Sequence, residues 1–111
     1  MSDNSSEPIV VLMTAANAEE AERIASMLVD ARLAACVQIL PPIRSVYRWK
    51  GEVVRENEVL LSAKTTREKF DELDRAVRAI HSYETPEIVA LPVAVGSEPY
   101  LNWLISEVKS E

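Results

Sequence analysis

The chain has 111 residues, a formal net charge of −6 and 48% hydrophobic residues, and it contains one cysteine and two glycines. This composition fits one globular domain, disfavours nucleic acid as a partner and excludes a glycine-rich phosphate loop. The longest apolar runs are only as long as strands, so no membrane insertion is predicted. The single cysteine and the polar N-terminus predict a cytoplasmic protein.

Hydrophobic periodicity divides the chain into a single domain, residues 8–111, behind a polar tail, residues 1–7, which is predicted to be disordered. Continuous or alternating apolar runs predict strands, whereas apolar residues three and four positions apart predict helices. The predicted elements are, in chain order, 8–14 (strand), 18–32 (helix), 34–40 (strand), 45–50 (strand), 58–64 (strand), 70–80 (helix), 87–95 (strand) and 97 or 98 to 108 (helix).

Several residues predict where these elements begin and end. Asn17 with Glu20, and Thr65 with Glu68, have the spacing of helix capping boxes. Gly51 lies where two strands must reverse direction, which predicts a hairpin turn. Two adjacent prolines predict the end of the second strand, because proline cannot donate a hydrogen bond to a neighbouring strand.

The element order β-α-β-β-α-β with an added C-terminal helix predicts an α+β domain with the ferredoxin-like arrangement. In this fold, two helices cover one face of an antiparallel sheet. A hairpin is predicted outside the compact core, and Tyr47 and Trp49 share one face of it. Such an exposed aromatic pair predicts a subunit interface. The alternative is that both rings pack back on their own subunit.

Two single residues are candidates for chemistry. Cys36 lies in an apolar strand between Ala35 and Val37, a setting that favours core packing over a metal ligand or a reactive thiol. His81 follows the second predicted helix, so its imidazole is either a cap for the helix C-terminus or a metal ligand. The sequence favours a helix-capping role for the imidazole, and its role as a metal ligand stays open.

Six segments occur in an order and spacing that resemble the CutA family over about residues 8–108: Arg32–Val37, Ser45–Trp49, Lys64–Thr65, Tyr83–Glu87, Leu91–Val93 and Tyr100–Leu104. The resemblance implies a ferredoxin-like homotrimer in which the hairpin around Tyr47 and Trp49 projects and pairs with a neighbouring subunit. It also implies a role in tolerance to divalent metals, copper above all, a fold kinship with the PII signalling trimers, and no enzymatic activity.

The resemblance extends to a metal site. Metal-binding relatives carry a cysteine before the Thr-Ala that ends the first strand, and a pair of histidines just before the Pro/Ser-Tyr turn. Here these places hold Met13, and Ile80 followed by His81. The resemblance therefore implies a weak site for copper or another divalent cation at Met13 and His81. A thioether with one imidazole favours Cu(I) over Cu(II) or zinc.

A second set of residues resembles those that gather in a cleft between subunits of the family. A cleft with an ammonium group, carboxylates and aromatic walls is able to hold a small ligand. Alternatively, the carboxylates are solvated and Lys64 pairs with one of them. The candidate cleft residues are Trp49, Lys64, Tyr83, Glu84, Thr85, Glu87 and Trp103.

Two functional hypotheses follow. The first is a non-catalytic trimeric protein of divalent-cation tolerance that binds copper or another cation weakly, or that acts as a scaffold. The alternative is a PII-like signalling protein that binds a small molecule in the cleft between subunits. Binding of an anion in the cleft without metal would favour the alternative.

Overall fold

The computed structural model describes residues 5–109, which form a five-stranded antiparallel sheet and three α-helices. The strands are β1 (Pro8–Ala15), β2 (Cys36–Ile39), β3 (Ile43–Trp49), β4 (Glu52–Thr66) and β5 (Ile88–Pro92). The helices are α1 (Ala18–Asp30), α2 (Phe70–Ile80) and α3 (Glu98–Glu107), and a short 3-10 turn (Arg67–Lys69) precedes α2. The order of strands and helices is the one that the sequence predicts.

The strand order identifies the topology. β1 lies between β4 and β5, β2 lies on the other side of β4, and β3 continues along β4 beyond β2. All of these pairs are antiparallel. Each helix connects two strands that have another strand between them, and the predicted ferredoxin-like arrangement is confirmed. The chain leaves β2 at Pro41 and Pro42, which separate β2 from β3 as predicted.

The hydrophobic core lies between one face of the sheet and the helices α1 and α2. Along β4, Val59, Leu61 and Ala63 contribute to this core, and the alternating residues point to the opposite face. No helix within residues 5–109 is both long and apolar enough to span a membrane. The buried core side chains include Ile9, Val11, Met13, Ala21, Ile24, Leu28, Leu61, Leu73 and Val77.

Helix α3 packs against β1 and β4 on the other face of the sheet. Leu104 and Val108 are buried there, outside the core that α1 and α2 cover. The register places Cys36 opposite Lys64 on this second face, and the Tyr100 hydroxyl lies 3.5 Å from the Cys36 Sγ. Cys36 is therefore only half-buried. The prediction that it packs in the core is wrong, because its strand directs the side chain toward α3.

We expect Cys36→Ser to change the free energy of unfolding by less than about 1 kcal/mol, because a serine hydroxyl keeps a polar partner for the Tyr100 hydroxyl. The hydrogen bond with Cys36 and the burial of the ring raise the pKa of Tyr100 to about 12, so this partner stays protonated at neutral pH. Urea unfolding measures the change, with Cys36→Val as the matched variant that lacks a polar group. A loss above about 2 kcal/mol in Cys36→Ser would support core burial instead.

The hairpin of β3 and the first half of β4 projects from the domain, which measures 46 × 26 × 23 Å along its principal axes. Lys50 and Gly51 connect Trp49 to Glu52, and their φ angles are 50° and 84°. Two positive φ angles are typical of the type I′ turn, whose twist matches that of paired antiparallel strands. The turn predicted at Gly51 is confirmed. β4 begins well before its predicted start at residue 58. The prediction missed the hairpin half of this strand because that half carries charged side chains at exposed positions.

The boundary between β4 and α2 differs from the prediction. Thr65 and Thr66 continue β4 and pair with β1, so the predicted capping box of Thr65 with Glu68 does not form. The turn Arg67–Lys69 then leads into α2 without a side-chain cap at its start. Both buried threonine hydroxyls lack a hydrogen-bond partner within residues 5–109. Strand pairing therefore outweighs the local capping preference at this place.

The predicted disordered tail lies partly outside the described residues, since residues 1–4 are not among them. Ser5 and Glu7 are bound to the domain. The Glu68 N–H donates to the Ser5 carbonyl at 2.8 Å, and the Arg67 N–H donates to the Glu7 carbonyl at 2.9 Å. The Arg67 guanidinium also lies 3.2 Å from the Glu7 carboxylate. Backbone hydrogen bonds therefore hold Ser5 and Glu7 at the turn before α2, and the disorder of the tail stays a prediction.

Candidate functional site

A cleft lies between the base of the hairpin and the loop that joins α2 to β5. Its volume is about 650 Å³, which is within the range of small-molecule sites. Ser45 of β3 lies opposite Glu56 of β4, so the two strands direct these side chains to the same side. The cleft is lined by Thr14, Ser45, Val46, Tyr47, Trp49, Glu56, Glu58, Tyr83, Glu84, Thr85, Pro86 and Glu87.

The cleft is acidic and has aromatic walls. Among residues 5–109, its lining contains four glutamates and no Lys, Arg or His. The ammonium group of Lys50, from the hairpin turn, lies 3.8 Å from a carboxylate oxygen of Glu84 and 5.6 Å from the centre of the Trp49 ring. This exposed ion pair contributes little to stability. It nevertheless shows that the rim of the cleft attracts a positive charge.

Two tyrosine–glutamate pairs order the wall of the cleft. The Tyr83 hydroxyl donates to the Glu58 Oε2 at 2.8 Å, and Glu58 is only 6% exposed. Burial, together with this hydrogen bond and the Glu58 charge, raises the pKa of Tyr83. The Tyr47 hydroxyl donates to the Glu56 carboxylate, and this bond raises the pKa of Tyr47 to about 12. Both tyrosines therefore remain hydrogen-bond donors throughout the physiological pH range.

Glu20 of α1 holds the loop that follows α2. The Glu20 N–H donates to the Asn17 side chain at 2.8 Å, as in the predicted capping box. The carboxylate of Glu20 accepts a hydrogen bond at 2.9 Å from the N–H of Ala16. A capping box predicts the N–H of Asn17, one residue later, as this donor. The same carboxylate accepts from the Ser82 N–H at 2.7 Å and from the Ser82 hydroxyl at 3.1 Å. One buried side chain thus connects the start of α1 to the loop of the cleft.

His81 connects the same loop to the sheet, and its side chain is fully buried. The Tyr83 N–H donates to the His81 Nδ1 at 3.0 Å. Because Nδ1 accepts this bond, the ring proton lies on Nε2, which donates to the Thr14 carbonyl at 2.8 Å. The prediction that the imidazole caps α2 is wrong, since its two ring nitrogens bond to β1 and to the following loop. Its position brings the Tyr83 side chain to the cleft.

The observed contacts do not fit a preformed copper site at Met13 and His81. The Met13 side chain is fully buried in the core, and each ring nitrogen of His81 has a protein partner. Across residues 5–109, no group of three or more His, Cys, Asp or Glu side chains is arranged to hold a metal ion. A metal at either residue would have to displace an existing contact. The copper site at these two residues stays a prediction.

The structure brings together five of the seven residues predicted for the cleft: Trp49, Tyr83, Glu84, Thr85 and Glu87. Lys64 and Trp103 do not line the cleft within one subunit. The Lys64 ammonium donates to the side chains of Gln38 and Ser62 on the sheet, so its predicted pairing with a cleft carboxylate is not formed. Trp103 packs against Tyr100 on α3, with ring centres 5.6 Å apart.

Sequence reasoning missed several residues of the site. Glu56 and Glu58 are two positions apart in one strand, so they point to the same side, and this spacing was a usable signal. Glu56 was missed because the predicted strand started only at residue 58, and Glu58 was predicted only as the first residue of that strand. Glu20 was assigned only to helix capping, and no sequence pattern indicates its contact with Ser82, which is 62 residues away.

These features define a class of protein. It is a ferredoxin-like α+β domain with a projecting hairpin and an acidic, aromatic cleft at the base of that hairpin. The cleft has the concave shape of a binding site. The tyrosine–glutamate pairs and the bonds of Glu20 and His81 hold its walls in place.

Comparisons with known proteins assign the family. The model of the family "CutA1 divalent ion tolerance protein" matches residues 9–107. The divalent-cation tolerance protein CutA of Thermus thermophilus is 54% identical over 95 residues, which are 86% of this chain and 92% of that protein. The chloroplastic protein CutA of Arabidopsis thaliana is 42% identical over 102 residues, or 92% of this chain, but the chain spans only 56% of its length.

A solved structure agrees with the sequence comparison. The periplasmic divalent cation tolerance protein CutA of Archaeoglobus fulgidus superposes with a TM-score of 0.89 at 41% identity, over 92% of this chain and 99% of that one. The chain belongs to the CutA1 divalent ion tolerance protein family. The family resemblance carried by the six sequence segments is therefore confirmed.

Proposed function

We propose that this chain acts in divalent-cation tolerance as a non-catalytic homotrimeric scaffold that binds copper at most weakly. Its family membership supports the link to divalent cations. The observation that carries the proposal is the apolar surface that one subunit leaves uncovered on the hairpin and on β5. The cytoplasm is proposed as its compartment from the sequence, whereas the Archaeoglobus relative is named periplasmic.

The hairpin has too many exposed apolar side chains for a surface that faces only water. Val46 is 59% exposed, Val53 is 49% exposed and Trp49 is 39% exposed. A two-stranded hairpin without a covering layer is only marginally stable in water. The register places Val46 and Val53 on one face of the hairpin and Trp49 on the other, so both faces expose apolar side chains. Exposed apolar surface is typical of protein–protein contacts, and Trp is among the residues most enriched at their anchors.

The free strand edges support a closed ring of subunits. Within residues 5–109, β3 pairs only with β4, and β5 pairs only with β1. β5 also exposes Val89 and Leu91, by 48% and 51%. Two unlike edges on one subunit suit a head-to-tail contact, in which an edge of one copy meets the other edge of the next. The number three rests on the family resemblance.

We expect the purified protein to have three times the chain mass of 12.4 kDa in light scattering. Trp49→Ala should weaken assembly by about 2 kcal/mol or more per interface, because it removes a large aromatic anchor from the hairpin. This loss should appear as dissociation at protein concentrations where the wild type remains assembled. Native mass spectrometry with and without copper reports subunit number and bound metal together.

Val29→Ala is the control for this experiment, since Val29 is an exposed apolar side chain on α1, outside the hairpin. It should leave the mass unchanged. A wild-type mass of one chain at micromolar concentration would contradict the trimer. An unchanged mass for Trp49→Ala at every concentration would place that side chain outside the interface.

A second function is supported by the cleft itself. A cavity of about 650 Å³ with ordered polar groups and aromatic walls suits a small molecule. The chain would then act as a PII-like signalling protein whose ligand occupies the space between the hairpin and the loop after α2. Equilibrium dialysis with small-molecule mixtures tests this role. The role would be contradicted if the protein retained no compound of any chemical class.

A further inference from the structure

We propose that residues 5–7 form a detachable strap over the start of α2, and that this strap competes with a helix capping box for one N–H group. The strap lies within a single subunit, at the end of the sheet opposite to the hairpin. β1 pairs with β4 from Pro8, opposite Thr66, to Ala15, opposite Val59. The hairpin pairing of β4 ends at the neighbouring residue, Glu58. The strap is therefore separate from the hairpin and from the cleft at its base.

The start of α2 needs acceptors from outside the helix. The first N–H groups of a helix have no acceptor within the helix itself, and a Ser, Thr, Asp or Asn side chain usually accepts from one of them. Neither α2 nor the turn Arg67–Lys69 that precedes it begins with a side-chain cap. The acceptors therefore come from another segment of the chain or from water.

The N-terminal tail supplies these acceptors. The Ser5 carbonyl accepts the Glu68 N–H at 2.8 Å, and the Glu7 carbonyl accepts the Arg67 N–H at 2.9 Å. The Arg67 guanidinium also lies 3.2 Å from the Glu7 carboxylate. Two backbone hydrogen bonds and an ion pair thus close the strap over two consecutive residues of the turn.

The strap takes the donor that the predicted capping box requires. In that box, the Thr65 hydroxyl accepts from the Glu68 N–H, but this N–H is already bonded to Ser5. The Thr65 side chain is fully buried, and its hydroxyl has no hydrogen-bond partner within residues 5–109. A buried hydroxyl without a partner is costly. Thr65 is therefore placed to accept the Glu68 N–H when the strap leaves.

Exchange between the two arrangements needs little rearrangement. A helix N-cap residue keeps an extended backbone, so Thr65 is able to cap the helix while it remains in β4. Thr66 would become the first helical residue, which opens its pair with Pro8 at the end of the sheet. The Arg67–Glu7 pair is exposed by 55% and 30% of its side chains, and exposed ion pairs contribute little stability. The strap thus opens locally while the sheet and α2 stay folded.

The experiment is amide hydrogen exchange of the full-length assembled protein, followed by nuclear magnetic resonance, with the Arg67 and Glu68 N–H groups as probes. In the open state, Thr65 accepts the Glu68 N–H, whereas the Arg67 N–H loses its acceptor. The wild type should therefore protect the Glu68 amide more strongly than the Arg67 amide. Thr65→Val removes the hydroxyl and keeps the shape, so it should lower the protection of Glu68 to that of Arg67.

Glu7→Gln tests the closed strap. Loss of the ion pair should speed exchange of the Arg67 amide about twofold to fivefold, the effect of an exposed ion pair. Asp74→Asn is the matched control, because Asp74 also pairs with an exposed arginine of α2, Arg78, at 3.0 Å. This control should leave the exchange of both probes unchanged.

The two halves of the proposal fail separately. Unchanged exchange of the Arg67 amide in Glu7→Gln would overturn the strap. Equal protection of the two amides in the wild type would overturn the competing capping box, and so would extra protection of Glu68 that survives in Thr65→Val. The wild type and Glu7→Gln decide both halves even where Thr65→Val fails to fold, which its circular dichroism spectrum reports.

Discussion

Replacing Glu20 with alanine should lower the free energy of unfolding by about 3 kcal/mol. Its carboxylate accepts from the Ala16 N–H and from both donors of Ser82, at 2.7–3.1 Å. Hydrogen bonds to a charged group contribute about 1.5–3 kcal/mol each, and the cost of burying the carboxylate offsets part of the sum. Urea unfolding at pH 7 and a constant subunit concentration measures the difference. Glu19→Ala is the control on the exposed side of the same helix turn, and it should cost under about 1 kcal/mol.

The contribution of Glu20 should depend on pH. Burial raises the pKa of Glu20, but the hydrogen bonds from the Ala16 N–H and from Ser82 outweigh burial and hold the pKa below its ordinary value of 4.5. A pKa that is lower in the folded state means that the stabilisation is complete above pH 4.5 and is lost as the pH falls through the folded pKa. The difference between the wild type and Glu20→Ala should therefore shrink in acid. An equal difference at neutral and acidic pH would contradict this role.

The sequence predicts most of the fold because its strongest signals are local. The apolar stripe of α1, the capping residue Asn17 and the turn at Gly51 each depend on neighbouring residues, and the structure agrees with all three. Hydrophobic period, caps and turn residues point to one arrangement, which is the condition for a well-defined fold. The boundary at Thr65 failed where strand pairing with β1 opposed a local capping preference.

The candidate site was less predictable because it depends on contacts between distant parts of the chain. Tyr83 reaches Glu58 across 25 residues, and Ser82 reaches Glu20 across 62 residues. The charged residues of the hairpin also look unlike a buried strand, so Glu56 was not assigned to β4. The family resemblance supplied five cleft residues, whereas the bonds that hold them in place emerge only from the folded chain.

His81→Ala should also lower the free energy of unfolding by about 3 kcal/mol. It removes a fully buried ring and leaves the Thr14 carbonyl and the Tyr83 N–H without their partners. The variants His81→Asn and His81→Gln separate the contributions of the two hydrogen bonds to this loss of stability. The asparagine carbonyl lies near the place of Nδ1 and keeps an acceptor for Tyr83, whereas the glutamine amide keeps a donor for Thr14. Each should recover part of the stability in urea unfolding, and recovery by neither would contradict the hydrogen-bonding role.

Copper titration of the same variants distinguishes this structural role from the predicted metal site. The sequence predicts that any copper binds through His81, whose neutral imidazole is a common copper ligand. The contacts instead predict equal copper affinity in the wild type and in His81→Asn, because both ring nitrogens already bond to the protein. Lost copper binding with retained stability in His81→Asn would make His81 a metal ligand. Lost stability with unchanged copper binding would show that this imidazole serves to hold the Tyr83 loop against β1, and that any cation reaches the protein elsewhere.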